Sequence, residues 1–282
     1  FWASTLYGHD SNSGFKTGAL ETGNNVNYFG LMIGADITHQ TSLGNLRSGL
    51  AFHSGTGKSS SKGDLQYTKN DVDFWGATFY ENWTNNNFSV TVDLGLSRNS
   101  NDVEQNLPAW VDMGSKLKAD IDSEMLTAGI TGEYLYNLSS IDIVPHAGVR
   151  YVQLKTERFD TTTQSGEKLF DTAEQKQNLW QFPVGVRLST TYSLDSGWAV
   201  SPQADLSVIP VTGDTNAKTH IRTYGINASD TLSSTIVDDT SFSGQLGVKA
   251  QKGNVSFGIN YNLDASEHQT GQGAMAVFNY NF

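Results

Sequence analysis

The side chains able to do chemistry in this chain are few and scattered. Cysteine is absent, which removes thiolate nucleophiles, thiolate metal sites and disulfides together. A serine hydrolase at a membrane rim, such as a phospholipase, would need a histidine within hydrogen-bond reach of a hydroxyl. His53 and His146 fall inside regular segments, on their polar side, while His9, His39, His220 and His268 fall in loops, turns or segment ends. No serine–histidine arrangement stands out among them. The acids of DVD (71–73) and DID (120–122) could offer oxygens to Ca²⁺, but two carboxylates make too few ligands, and solvated loop charge is the plainer reading. CxxC, HExxH and a phosphate-binding glycine loop do not occur. No metal or cofactor is expected. What remains is a set of charged residues recurring on the polar side of alternating segments: Asp36, Arg47, Asp93, Glu133, Arg150, Arg187, Asp205 and Lys249, with Gln203 and Gln245 beside them. The guanidinium fork suits carboxylate pairing, so these positions read as a lining whose charges pair across strands. Everything then depends on the elements that hold them.

Those elements are strands. The 28 glycines, 14 phenylalanines, 11 tyrosines and 6 tryptophans stand against only 5 prolines, a composition that favours sheet. No apolar run reaches the roughly 18 residues of a membrane helix. Mean hydropathy is negative, as it is in a membrane β-barrel, where only alternate residues touch lipid. Lys and Arg number 18 against 29 Asp and Glu, a net charge of −11. That excludes a basic surface for nucleic acid.

Period-two alternation marks the segments. In GNVSFGINYNLD, Val255, Phe257, Ile259, Tyr261 and Leu263 share one side, and Ser256, Gly258, Asn260 and Asn262 share the other. NFSVTVDLGLS, NYFGLMIGADI, IDIVPHAGVRY and LWQFPVGVRLSTTY repeat the pattern. Twelve runs are predicted, at 1–9, 27–38, 45–58, 69–83, 87–98, 120–138, 140–158, 177–194, 197–212, 234–252, 254–265 and 269–282. The facing of the first is not assignable. Tight links (HQTSLG, TNN, S, DS, G) alternate with mostly long, polar ones, including 10–26, 99–119 and 213–233. Short turns therefore gather at one end and long loops at the other. A β-sandwich has no reason to sort its loops so; a transmembrane antiparallel β-barrel of outer-membrane type does, with an even strand number.

Aromatic placement agrees. On the apolar side Trp83, Tyr136, Tyr192, Trp198 and Phe282 fall toward the short-turn end, and Trp75, Tyr151 and Trp180 toward the other. From Trp180 to Tyr192 a tilted strand covers roughly 30 Å along the membrane normal, which matches an apolar band with a girdle at each rim. The last residues, AMAVFNYNF, place Phe278, Tyr280 and Phe282 toward lipid and Asn279 and Asn281 toward the lumen. The last strand is expected to pair with the first and close the cylinder.

FWASTLYG at the start, IVPHAGVRYVQL (143–154), FPVGVRLST (182–190), GWAVSPQADLSVIPVTGD (197–214) and the terminal FNYNF, in that order and spacing, resemble the translocator domains of autotransporters (type V secretion). The resemblance covers essentially the whole chain and implies one twelve-stranded domain over 1–282, an anchor and translocator for an N-terminal passenger in a Gram-negative outer membrane. It implies outer-membrane lipid, the protein's own passenger and helical linker, periplasmic chaperones and the barrel-assembly machinery as partners, with Phe278, Tyr280 and Phe282 as the assembly signal. A monomer is expected. The opening residues lack a signal peptide, so a trimmed C-terminal domain without its passenger and linker is expected. Some members of the family cut their own linker with lumenal acids; Asp36, Asp93, Glu133 or Asp205 could serve, and none matches that motif individually. Enzyme activity is otherwise not expected. Two alternatives stand beside this reading: a twelve-stranded channel for small solutes, and an adhesin acting through its long loops.

Overall fold

A computed structural model describes residues 1–17, 20–63, 68–107 and 115–282, and among these there is no helix. The chain enters as β1 (Trp2–Thr17), β2 (Leu20–Thr41), β3 (Gly44–Gly63), β4 (Thr68–Asn85) and β5 (Phe88–Asn106). β6 (Lys116–Tyr134) is extended by β7 (Tyr136–Leu138), and β8 (Ile141–Thr156) by β9 (Phe159–Thr163). One interrupted strand follows, made of β10 (Lys168–Thr172), β11 (Gln175–Gln181), β12 (Val184–Ser189) and β13 (Tyr192–Ser193). β14 (Ala199–Gly213) continues as β15 (Asn216–Thr223), and β16 (Ala228–Thr235) as β17 (Thr240–Lys252). β18 (Val255–Ser266) and β19 (Gln269–Tyr280) complete the set. Counted with their extensions, these make twelve antiparallel wall strands.

The wall is closed. β19 pairs with β1 from Trp2↔Asn279 to Asn12↔Gln269, and across the join Phe1 N donates to Tyr280 O while Tyr280 N–H donates to Phe1 O. No free edge is left for backbone groups that lipid cannot solvate. Tight turns at 42–43, 86–87, 139–140 and 253–254 all lie at one end. Asn86 (φ 51°), Ser139 (φ 57°) and Gly253 (φ 55°) take the left-handed backbone that two-residue hairpin turns demand.

The barrel is apolar outward. Leu31, Ile33, Leu50, Leu96, Leu206, Leu246 and Ile259 are each at least half exposed, while among the described residues no large side chain is completely buried. A water-soluble protein of this size would hide such residues in a core. Here the apolar surface faces lipid, and the facing of β1 resolves with it: Tyr7 points outward and Trp2 inward.

The long links differ from expectation. Residues 10–26 are mostly the upper parts of β1 and β2, 99–119 mostly those of β5 and β6, and 213–233 largely the β15–β16 hairpin. Positions 18–19, 64–67 and 108–114 in these links lie outside the described residues. β2 runs 22 residues, about twice what a membrane strand needs. Above the bilayer both faces of a strand meet water, so alternation fades from the sequence although pairing continues.

This upper part has its own topology. β18 and β19 are joined by the short link 267–268. Beyond it β16 pairs directly with β1 (Thr17↔Ser234), β15 with β10, and β9 with β6. The twelve-stranded wall thereby narrows to a collar from which the β18–β19 hairpin is left out.

Candidate functional site

The inward faces of the wall strands build the site. Every lining residue expected from alternation lies on a wall strand, and eight of the acidic, basic and imidazole groups meet in four pairs. Arg47 donates to both oxygens of Asp36, each bond 2.8 Å. Tyr80 donates to Asp36 Oδ2 at 2.8 Å, and Trp2 Nε1 to the Tyr80 hydroxyl at 3.0 Å, so one network spans β1 to β4. Arg150 meets Asp93 at 2.8 Å across β6, and Arg187 meets Glu133 at 2.9 Å across β8. His146 Nε2 lies 3.0 Å from Asp205 Oδ2, and Ser207 donates to Asp205 Oδ1 at 3.0 Å. Gln203 adds a bond to Asn260 at 3.1 Å. Lys249 enters none of these pairs; it sits on β17, opposite Ser201 and Gly258.

Asp36 and Arg47 sit on neighbouring strands, whereas the other three pairs skip a strand, and at several of these crossings a glycine lies beneath. Gly129 stands between Asp93 and Arg150 in register; a methyl group there would lie 2.7 Å from Asp93 Oδ1 and 3.2 Å from an Arg150 terminal nitrogen. Gly185 holds the same place under His146, Gly49 under Tyr80, and Gly247 under Gln203 and Asn260. The charges thus lie flat against the wall. Pairs this open to water contribute about 0–1 kcal/mol each. They are affordable because the lumen and not hydrocarbon solvates them. All four candidate acids, Asp36, Asp93, Glu133 and Asp205, have a hydrogen-bonding partner on another strand.

The lower aromatic residues lie near the tight-turn ends of their strands, and the upper ones at mid-strand, because the strands run on beyond them. Trp83 packs edge-on to Phe88 at 6.1 Å and donates to Leu43 O in a tight turn at 3.0 Å. Tyr136 packs on Tyr134 at 4.6 Å, Tyr192 ends its strand before the 195–197 turn, and Trp198 follows that turn. Toward the other end Tyr151 packs on Trp180 at 5.0 Å and Phe52 on Trp75 at 6.4 Å. Phe278 packs at a tilt against Phe257 at 5.2 Å, whereas Phe282 is fully exposed and touches the Tyr280 ring edge-on at 4.9 Å. The roles of Tyr80 and Trp2 were not found from sequence. Parity could have placed Tyr80 opposite Trp75 in facing; Trp2 had no such guide.

The collar is held by a second set of charges. Arg158 embraces both oxygens of Asp171 (2.6 and 2.5 Å), and Arg222 approaches it at 2.9 Å. Lys168 and Tyr224 hold Asp160 at 2.5 and 2.9 Å. Hydrogen bonds from Arg158, then the charges of Arg158 and Arg222, keep the Asp171 carboxyl below the usual carboxylate range, and Lys168 and Tyr224 do the same for Asp160. A depressed folded-state pKa adds stability above the unfolded value of 3.8 that disappears as pH falls through the folded value. Hydrogen-exchange protection factors of the β9–β10 and β15–β16 segments, corrected for the intrinsic rate, should therefore fall on going from pH 5 to about pH 3, with the β17–β19 wall still protected. Uniform protection across both would contradict this.

A closed twelve-stranded wall with lipid-facing apolar residues, tight turns at one end and a charge-paired lining defines a β-barrel of outer-membrane type. Residues 1–262 match the family described as autotransporter beta-domain, and the chain belongs to that family. The match favours a translocator over the channel alternative. Among solved structures, the translocator domain of the autotransporter NalP from Neisseria meningitidis is 12% identical with a TM-score of 0.69, covering 100% of this chain and 87% of that one. The beta domain of the Bordetella autotransporter BrkA is 16% identical with a TM-score of 0.70, covering 100% and 98%. The transport unit of AIDA-I from Escherichia coli is 15% identical with a TM-score of 0.69, covering 100% and 90%. At such identities these likenesses speak to the fold. No curated protein sequence matches the chain significantly.

Proposed function

We propose that this barrel sits in the outer membrane of a Gram-negative bacterium as the translocator and anchor of an N-terminal passenger. The observation that carries the reading is the lining: a polar passage in which eight acidic, basic and imidazole groups pair against the wall, within a cylinder that has no lateral edge. A polypeptide in transit meets a polar, hydrogen-bonding surface. Phe282, exposed and nearly without contacts, suits recognition by the barrel-assembly machinery better than a role in stability.

The test is export. A reporter with a signal peptide, fused ahead of Phe1 through a helical linker, should appear on the surface of intact cells. F282A should cut surface display several-fold while the purified variant refolds in detergent like the parent. A reporter retained in the periplasm with the parent barrel correctly assembled would defeat the translocator reading.

A further inference from the structure

Two aspartates of the upper wall have side chains only 8% exposed, Asp171 and Asp238. Their company differs. Asp171 has two guanidinium groups, whereas Asp238 faces His268, with Nδ1 and Oδ1 2.6 Å apart and the His268 backbone N–H donating to Oδ2 at 2.8 Å. Glu267 completes the group: one ligand atom from each of Asp238, Glu267 and His268 lies within 4.8 Å of the others. The adjoining cleft, about 750 Å³, is lined by Asp239 and the polar residues Thr215, Asn216 and Thr235, and by no lysine or arginine. Two other acids of the upper wall are matched by cations: Glu104 by Lys116 and Lys118, and Glu174 by Lys155 and Lys176. Among the described residues the cleft thus combines several carboxylates and an imidazole nitrogen with no lining lysine or arginine.

We propose that Asp238, Glu267 and His268 bind a divalent transition-metal ion, with zinc as the type. One imidazole and two carboxylates match its preferred donors and leave a fourth position for water. The imidazole disfavours calcium and magnesium, which seek all-oxygen shells. On binding, the metal takes the place of the proton shared by Nδ1 and Oδ1, and that proton leaves to solvent.

The position gives the ion a structural effect. His268 lies in the link between β18 and β19, and Asp238 between β16 and β17. Ser13 of β1 donates its N–H to His268 O at 2.9 Å. A metal here fastens the short hairpin to the collar at the level where the wall narrows. This inference is independent of the translocation reading.

The test is zinc titration of the tag-free refolded barrel by calorimetry, with Co²⁺ absorption as a second probe of coordination. One equivalent of Zn²⁺ should bind, with proton release and no comparable calcium binding. E267Q, at an exposed side chain, should weaken it roughly tenfold or more, the least that removing a partner of a metal ligand costs. H268Q should abolish it. Retained heat-modifiable mobility would show that both variants fold. Absence of stoichiometric binding, or binding unchanged in E267Q and H268Q, would overturn the proposal.

Discussion

Arginine at position 246 will lower the stability of the membrane-inserted barrel by roughly 2–4 kcal/mol, while arginine at the adjacent position 245 will change it by about 0.5 kcal/mol or less. Leu246 is in the middle of β17, 62% exposed and pointing into the lipid belt. A guanidinium there must give up hydration or deform the bilayer. Gln245, its neighbour in sequence, stands opposite Asp205 and Asn262 on the lumen side, where water solvates a new cation and a carboxylate is close. Urea unfolding of L246R and Q245R in phospholipid vesicles gives both values. Equal losses would mean that the two faces do not meet different solvents.

Deleting residues 269–282 is expected to abolish the folded barrel altogether. Eleven positions of β1, Trp2 to Asn12, pair with β19, and β18 pairs with its other side from Val255 to Ala265. Without β19, two rows of backbone groups are unsatisfied in hydrocarbon, each at a cost of several kcal/mol. No rearrangement of side chains compensates for that. The join can also be examined without deletion, since the chain has no cysteine. T5C/A276C, a directly paired position, should form a disulfide across the closed join in the heat-modifiable species. A truncated chain that still gives that species, or a join that never cross-links, would contradict closure.

How far the fold was legible follows from where alternation exists. The stretch 254–265 declared its strand and its facing, because Phe257, Ile259, Tyr261 and Leu263 face lipid while Ser256 is buried on the other side. The tight turns were visible as well. The upper strands were not, since a ribbon with water on both faces carries no period-two signal, and 213–233 read as a polar loop where a hairpin pairs with β10 and β1. The facing of β1 was hidden because its aromatics split, Tyr7 outward and Trp2 inward onto Tyr80. Parity placed Asp93 and Arg150 on the lining but could not pair them: they are 57 residues apart in sequence and meet over Gly129. Asp238 and His268 had no signature at all, being brought together by the ends of different strands.

The most direct measurement is cysteine labelling along 257–262 of the membrane-inserted barrel with a charged, water-soluble maleimide. Modification should alternate, with Gly258, Asn260 and Asn262 positions reacting through the lumen and Phe257, Ile259 and Tyr261 positions shielded by lipid. Reactivity at every position, or with a period near four, would contradict a single wall that divides water from hydrocarbon.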